Sequence, residues 1–327
     1  MTDQAETTPP APLGPGSLTW RYFGDTRMVL VGPRAAVLQN MLPALGQGVL
    51  DHSVFFSETF ARVKRSAGPI LDTVYGAERS PETGRRVRDY HRDIKGTMPD
   101  GSRYHALDPE TYYWAHATFL DNMLYGIETF IRPLGEAEKR RIYEESKTWF
   151  RMYGVSDRAM PDDWEAFQSY WKRMLDEEIV AHKTARYGVG YAKKGLPAPP
   201  KVPAPLWRAV SPPLNAVARF ITVGGLHPRM RELLELPWSE ADERRHRRFA
   251  AAVRACNRVW PLLPEAARYV PQARRAFRKS TEWVRGSSGF SRRTPCGRPG
   301  RSRGRSCRGR GGGTSPGGAA RAAARSA

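Results

Sequence analysis

Arg85 to Ile131 reads RRVRDYHRDIKGTMPDGSRYHALDPETYYWAHATFLDNMLYGIETFI, and each of its histidines at positions 91 and 116 sits in an apolar pattern of helical period. Val87, Tyr90, His91 and Ile94 stand at the i, i+3, i+4, i+7 spacing of one helical face, which directs His91 inward. Tyr112, His116, Phe119, Met123, Ile127 and Phe130 form a second such face, with His116 in it. Ser80-Pro81-Glu82 and Asp108-Pro109-Glu110 are matching start signals: a capping side chain, a proline at the first helical position, and an acid near the positive helix end. The pattern predicts one helix from Ser80 to Gly96 and a second from Pro109 to its stop at Pro133, with a small loop or hairpin over Gly96 to Tyr104 turning at Pro99-Asp100-Gly101. Two inward imidazoles admit two readings, hydrogen-bonded structural residues or ligands. Neither HExxH nor a CxxC pair is present, so the spacing matches no zinc pattern.

Working outward, the periodicity predicts further helices. One starts at Pro33 and runs toward Gly46 and Gly48, and another spans Ser53 to about Gly68, with a kink or a restart at Pro69 and a stop at Gly76. Downstream come helices over Glu136 to Tyr153, from Pro161, over Leu206 to Val223, over Ser239 to Trp260 and over Pro264 to Trp283. Ser239 and Asp242 form a pair of capping-box type. The Gly- and Pro-rich stretch Tyr187 to Pro205 reads as a connection. No convincing strand alternation appears. The fold class expected is all-α: a single globular multi-helix domain over residues 18–285, between a disordered N-terminus (1–17) and a disordered tail (286–327).

The formal charge of +20 raises a nucleic-acid hypothesis, but residues 286–327 contain ten Arg and no Lys, Asp or Glu, so half of the charge lies in the tail. Nucleic-acid binding is therefore not expected of the helical body. The tail resembles an RNA-binding arginine/glycine segment in composition, yet lacks regular repeats, and a translated wrong frame of GC-rich coding sequence has the same look. Three cysteines imply no disulfide framework. The first residues lack the basic start and apolar middle of a secretory signal, and no run of eighteen apolar residues occurs. The expectation is a cytoplasmic protein, with peripheral membrane contact left open.

Upstream of the opening stretch, Arg62 and Ser66 fall four apart with Arg65 beside them. A solvated basic edge explains them; so does a cluster of donors beside an apolar pocket, able to hold propionates or polarise dioxygen. Of Arg85, Arg86, Arg88 and Arg92, Arg88 shares the His91 face and is placed near the pocket. His52 falls where the Ser53 helix is expected to begin, and capping explains it. Glycine-rich nucleotide loops, the GxSxG elbow and the kinase motifs are absent.

The residues also carry a resemblance. Arg88-x-x-His91-x-x-Ile94-x-Gly96, Pro99-Asp100-Gly101-x-x-Tyr104-x-Ala106-x-Asp108-Pro109-Glu110 and Trp114-x-His116-Ala117-Thr118, continuing through Phe130-Ile131-Arg132-Pro133-Leu134, are similar to the signature of the mpaB/rubber-oxygenase (latex clearing protein) catalytic-domain family. The likeness spans roughly Phe23 to Arg278 and leaves the tail outside. It implies an all-α haem b protein that uses dioxygen on an unsaturated hydrophobic, isoprenoid-like substrate. The family's iron ligand falls on His91, with His116 as a supporting residue at the haem edge or behind the His91 helix. Its distal Arg-x-x-Lys-Thr stretch falls on Arg62-Val63-Lys64-Arg65-Ser66. Arg65 replaces the Lys that approaches iron in the rubber-cleaving members. Because guanidinium stays protonated and does not ligate, a more open distal side is expected. A polymer substrate is extracellular, which an unexported chain does not meet; a small alkene or isoprenoid is expected instead. The other class of function is a non-catalytic haem- or lipid-binding helical protein with a basic tail for RNA or membrane.

Overall fold

The computed structural model describes residues 11–53, 59–194, 198 and 202–289, and their side chains except at 59–64, 190–194 and 281–289. The arginine/glycine-rich tail beyond Gly289, the first ten residues and the side chain of Arg62 lie outside the described residues. The fold is all-α. Among the described residues it has fourteen α-helices: α1 (Leu18–Phe23), α2 (Gly32–Asn40), α3 (Pro43–His52), α4 (Thr59–Tyr75), α5 (Ser80–Asp89), α6 (Pro109–Gly126), α7 (Glu136–Arg151), α8 (Trp164–Arg173), α9 (Lys183–Lys194), α10 (Ala204–Gly225), α11 (Pro228–Leu233), α12 (Glu240–Cys256), α13 (Glu265–Arg268) and α14 (Pro271–Gly289). Among the described residues the sheet content is one antiparallel hairpin, β1 (Lys95–Thr97) with β2 (Arg103–His105).

Helix α6 is the centre of the core. Asp108 caps it, its carboxylate accepting the Glu110 and Thr111 amide hydrogens, and Pro109 occupies the first turn as the sequence signal requires. The expected single apolar face is too narrow a description. Tyr112, Tyr113, Trp114, His116, Ala117, Thr118, Leu120 and Met123 are all buried, so the helix is covered nearly all round. Its C-terminal end widens into a π-helical turn, Ile127–Ile131. Asn257, from beyond α12, donates its side-chain amide to the Phe130 and Ile131 carbonyls at 2.9 Å and so satisfies that end.

Several boundaries differ from expectation. Pro69 does not restart a helix: α4 runs through it, and Thr73 Oγ1 donates to the Pro69 carbonyl. The helix expected from Pro33 breaks at Met41-Leu42, and Pro43 restarts it as α3. His52 therefore ends α3, where it was expected to open a helix, and its Nε2–H donates to the Lys95 carbonyl. Ser80 lies inside the first turn of α5, with no side-chain capping bond at the Arg79 cap. Asp163, not Pro161, starts α8 by accepting the Ala166 amide hydrogen. The stretch expected as a connection from Tyr187 is helical as far as Lys194, and α9 packs against α2. The last predicted helix is divided between α13 and α14. The Ser239–Asp242 capping box is present as expected. No single helix among the described residues is long and apolar enough to cross a membrane.

Candidate functional site around His91

Helix α5 ends at Asp89, about two turns earlier than the periodicity predicts. Tyr90 is 59% exposed, so the face drawn through Val87, Tyr90, His91 and Ile94 does not exist as a helical face. His91 instead sits half-buried in the turn that leads into β1. Its ring is nevertheless held. Nδ1 lies 2.8 Å from the Val87 carbonyl; a carbonyl only accepts, so Nδ1 carries the hydrogen and Nε2 the lone pair. The ring meets Tyr112 of α6 edge-on, at 5.7 Å and 85°.

Tyr112 continues into Tyr153 at 5.5 Å and Phe150 at 6.1 Å. On the far side of that cluster lies His116, 5.1 Å from Phe150 and 4.7 Å from Trp149. The two histidines are thus linked through aromatic rings of α6 and the end of α7. His116 is 3% exposed. Its Nε2–H donates to Ser146, with the carbonyl at 3.1 Å and the hydroxyl at 2.8 Å, and Nδ1 has no hydrogen-bond partner. Burial pushes its pKa down to about 3, the Ser146 bond acting in the opposite direction, so it is neutral at physiological pH.

Two close approaches set this region. A Cβ on Gly84 of α5 would lie 2.2 Å from the Met152 carbonyl oxygen, so α5 packs backbone-to-backbone against the turn after α7. Arg88 reaches the same turn: Nη1 donates to the Gly154 carbonyl at 3.3 Å, and its other donors engage Asp89 Oδ1, which Arg92 shares. These bonds hold Arg88 beside Gly154. Arg85, Arg86 and Arg92 are exposed, as expected. Helix α4 packs on α5 and carries Arg65 and Ser66 on exposed positions.

The predicted hairpin is present, with Gly101 at φ +88° in its turn and Asp100 accepting from Ser102. Gly96 lies opposite Tyr104, whose hydroxyl a Cβ on Gly96 would meet at 2.7 Å; the tyrosine crosses β1 there and donates to Asp51 Oδ2 at 2.7 Å. That bond and burial push the Tyr104 phenol up to about 12, burial being the larger cause. A cleft of about 670 Å³ opens between the hairpin, Ala44 of α3 and Asp108 and Thr111 at the start of α6. None of the residues assigned to catalysis or cofactor binding from the sequence lines it, whereas Gly96, Tyr104 and Asp108 of the family-like motif do. Its signal in the sequence was the alternation of Lys95, Thr97, Arg103 and His105 about a turn too short to register as strands. Among the described residues no group of three or more His, Cys, Asp and Glu side chains forms a multidentate metal site.

The arrangement would suit a group held through a single imidazole nitrogen. An imidazole fixed by a backbone carbonyl at Nδ1 presents Nε2 as ligand, which is how ligating histidines are commonly oriented. Residues 20–255 match the family model described as ER-bound oxygenase mpaB/B'/Rubber oxygenase, catalytic domain. Two uncharacterized proteins, Rv2237 of Mycobacterium tuberculosis and Mb2261 of Mycobacterium bovis, are each 28% identical over 230 residues, which is 69% of this chain and 87% of theirs. No solved structure gives a significant match. The match covers well over half of the chain, and the protein belongs to the mpaB/rubber-oxygenase catalytic-domain family.

Proposed function

We propose that this oxygenase-family protein is a haem b-dependent oxygenase using dioxygen on a small unsaturated hydrophobic, isoprenoid-like substrate. The observation that carries the reading is the His91 ring, whose Nδ1–H is anchored on the Val87 carbonyl so that Nε2 is the basic nitrogen. His91 would hold the iron. Haem, when bound, supplies the activation of dioxygen. The chain's own part is positional. Tyr112 limits rotation of the imidazole, Val87 holds the proton at Nδ1, and Gly84 brings α5 close enough to α7 for Tyr112, Phe150 and Tyr153 to back the ring. Arg65 and Ser66, on the helix packed against α5, together with Arg62, would donate hydrogen bonds to a developing negative charge. His116 stays neutral and supports the cluster from behind.

The test is oxygen consumption by haem-supplied protein on short isoprenoid alkenes and their saturated analogues. Uptake with the alkenes alone, lost in Arg65→Gln, is the expected result. Bound haem without uptake on any alkene would replace the oxygenase by a haem-storing protein.

A further inference from the structure

The hairpin cleft has a character that the His91 region does not explain. In the register of β1 and β2, Lys95 lies opposite His105 and Thr97 opposite Arg103. Directly opposed residues of an antiparallel pair project from the same face, and so do residues two apart on a strand. Lys95, Thr97, Arg103 and His105 therefore share one face, while Gly96 and Tyr104 share the other, which packs on α3. All four residues of the first face line the cleft, and Gly96, Tyr104 and Ala44 of α3 complete its wall from the other side. Lys95, Thr97 and Arg103 are exposed, and among the described residues neither the Lys95 ammonium nor the Arg103 guanidinium forms an ion pair. The acid in the lining, Asp108, has its carboxylate turned onto the Glu110 and Thr111 amides at the start of α6. Two histidines tie the hairpin edges down: Nε2–H of His52 to the Lys95 carbonyl at 3.1 Å, and Nε2–H of His105 to the Arg92 carbonyl at 3.0 Å. The cationic face is thus presented on a braced element.

We propose that this cleft binds the phosphate or diphosphate group of an amphiphilic ligand. Two cations with threonine hydroxyls beside them exceed what a single carboxylate engages, and suit an oxyanion of higher charge. At about 670 Å³ the cleft is larger than inorganic phosphate needs, leaving room for the adjoining part of a ligand. It begins four residues after His91 along the chain. Identifying this ligand with the oxygenase substrate, as an isoprenoid carrying a phosphate head, rests on the function proposed above. Phosphate binding itself does not.

The experiment uses the full chain in three forms: wild type, Lys95→Gln/Arg103→Gln, and a charge-matched control, Arg247→Gln/Arg248→Gln, at exposed positions of α12. Calorimetric titration with inorganic diphosphate measures the free ligand. Sedimentation with phosphatidylcholine vesicles, with and without phosphatidic acid, measures a lipid head group. The first double variant is expected to weaken binding by roughly tenfold or more, and the control to leave it unchanged. Loss confined to the diphosphate arm identifies a soluble phosphate ligand; loss confined to acidic vesicles identifies a bilayer lipid. Absence of binding by wild type in both arms overturns the proposal, as does equal weakening in both double variants, which marks non-specific charge attraction. Unchanged melting temperatures show that the variants are folded. Because neither arm involves haem, failure here is distinct from failure of the oxygenase reading.

Discussion

Gly84→Ala is the substitution that most directly probes how the His91 region is held. A Cβ at this position would meet the Met152 carbonyl oxygen at 2.2 Å, its carbon at 2.5 Å and the Tyr153 nitrogen at 3.0 Å. All three are backbone atoms, so no side chain can rotate away. Restoring ordinary carbon–oxygen separations of about 3.3 Å requires α5 to move by roughly 1 Å. Overpacking of this kind costs about 1–3 kcal/mol, and the upper end applies where backbone must move. Against it stands the intrinsic gain of Ala over Gly inside a helix, about 0.5–1 kcal/mol. The net expectation is a loss of about 2 kcal/mol, or roughly 4–8 °C in Tm for a domain of this size. Gly188→Ala in α9 reverses the sign, since its Cβ would make a 3.4 Å contact with Val37 Cγ2; a gain of about 0.5–1 kcal/mol is expected there. Both are read by reversible denaturant unfolding. A Gly84→Ala protein as stable as wild type would refute the close approach of α5 to the turn after α7.

Acid stability follows from His116. Its pKa is depressed by burial from the unfolded value of about 6.5 to about 3, so the unfolded chain binds the extra proton between these limits. The stabilisation is complete above pH 6.5 and is lost as pH falls toward 3, at up to about 1.4 kcal/mol per pH unit; His116→Gln should flatten that part of the urea midpoint profile, and an unchanged slope would show that His116 is not the group. His182, His227 and His246 are also lowered by burial, so a residual slope of the same sign is expected in the variant. Asn257→Ala leaves the Phe130 and Ile131 carbonyls without their donor and should cost about 2 kcal/mol in chemical denaturation; a loss below about 0.5 kcal/mol would remove Asn257 as the cap of the π-helical turn. Tyr104→Phe removes the 2.7 Å bond to Asp51 and should cost about 1 kcal/mol while speeding amide exchange across the hairpin; unaltered exchange would show that the bond does not brace it.

The all-helical class, the central helix and the hairpin were legible because their signals are local. Asp108-Pro109-Glu110 fixes the start of α6 by capping chemistry that needs no partner, and Pro99-Asp100-Gly101 dictates a turn that only glycine makes easily. The end of α5 was not legible. Val87, Tyr90, His91 and Ile94 satisfy helical spacing, yet the chain leaves the helix at Asp89, and the Ile94 amide bonds back to the His91 carbonyl in a turn. Only the tertiary demand for a hairpin against α3 explains that exit. Similarly, the glycines of Tyr187 to Lys194 read as a connection, and the packing of α9 against α2 keeps the stretch helical. Arg88 shares the expected His91 face, and the structure adds what periodicity does not show, its bonds to Asp89 and to the Gly154 carbonyl. The oxygenase family came from ordered motifs, which composition and periodicity do not encode.

The central proposal is that His91 would hold the iron of a haem. Protein purified without haem, titrated with hemin and followed by its Soret absorbance and by the pyridine haemochrome, tests it directly when compared with His91→Ala and with His116→Gln. One haem b per chain, with a shifted Soret band that is lost in His91→Ala and kept in His116→Gln, is the predicted result. An identical Soret spectrum in wild type and His91→Ala, or no band in a folded wild-type protein, would contradict it.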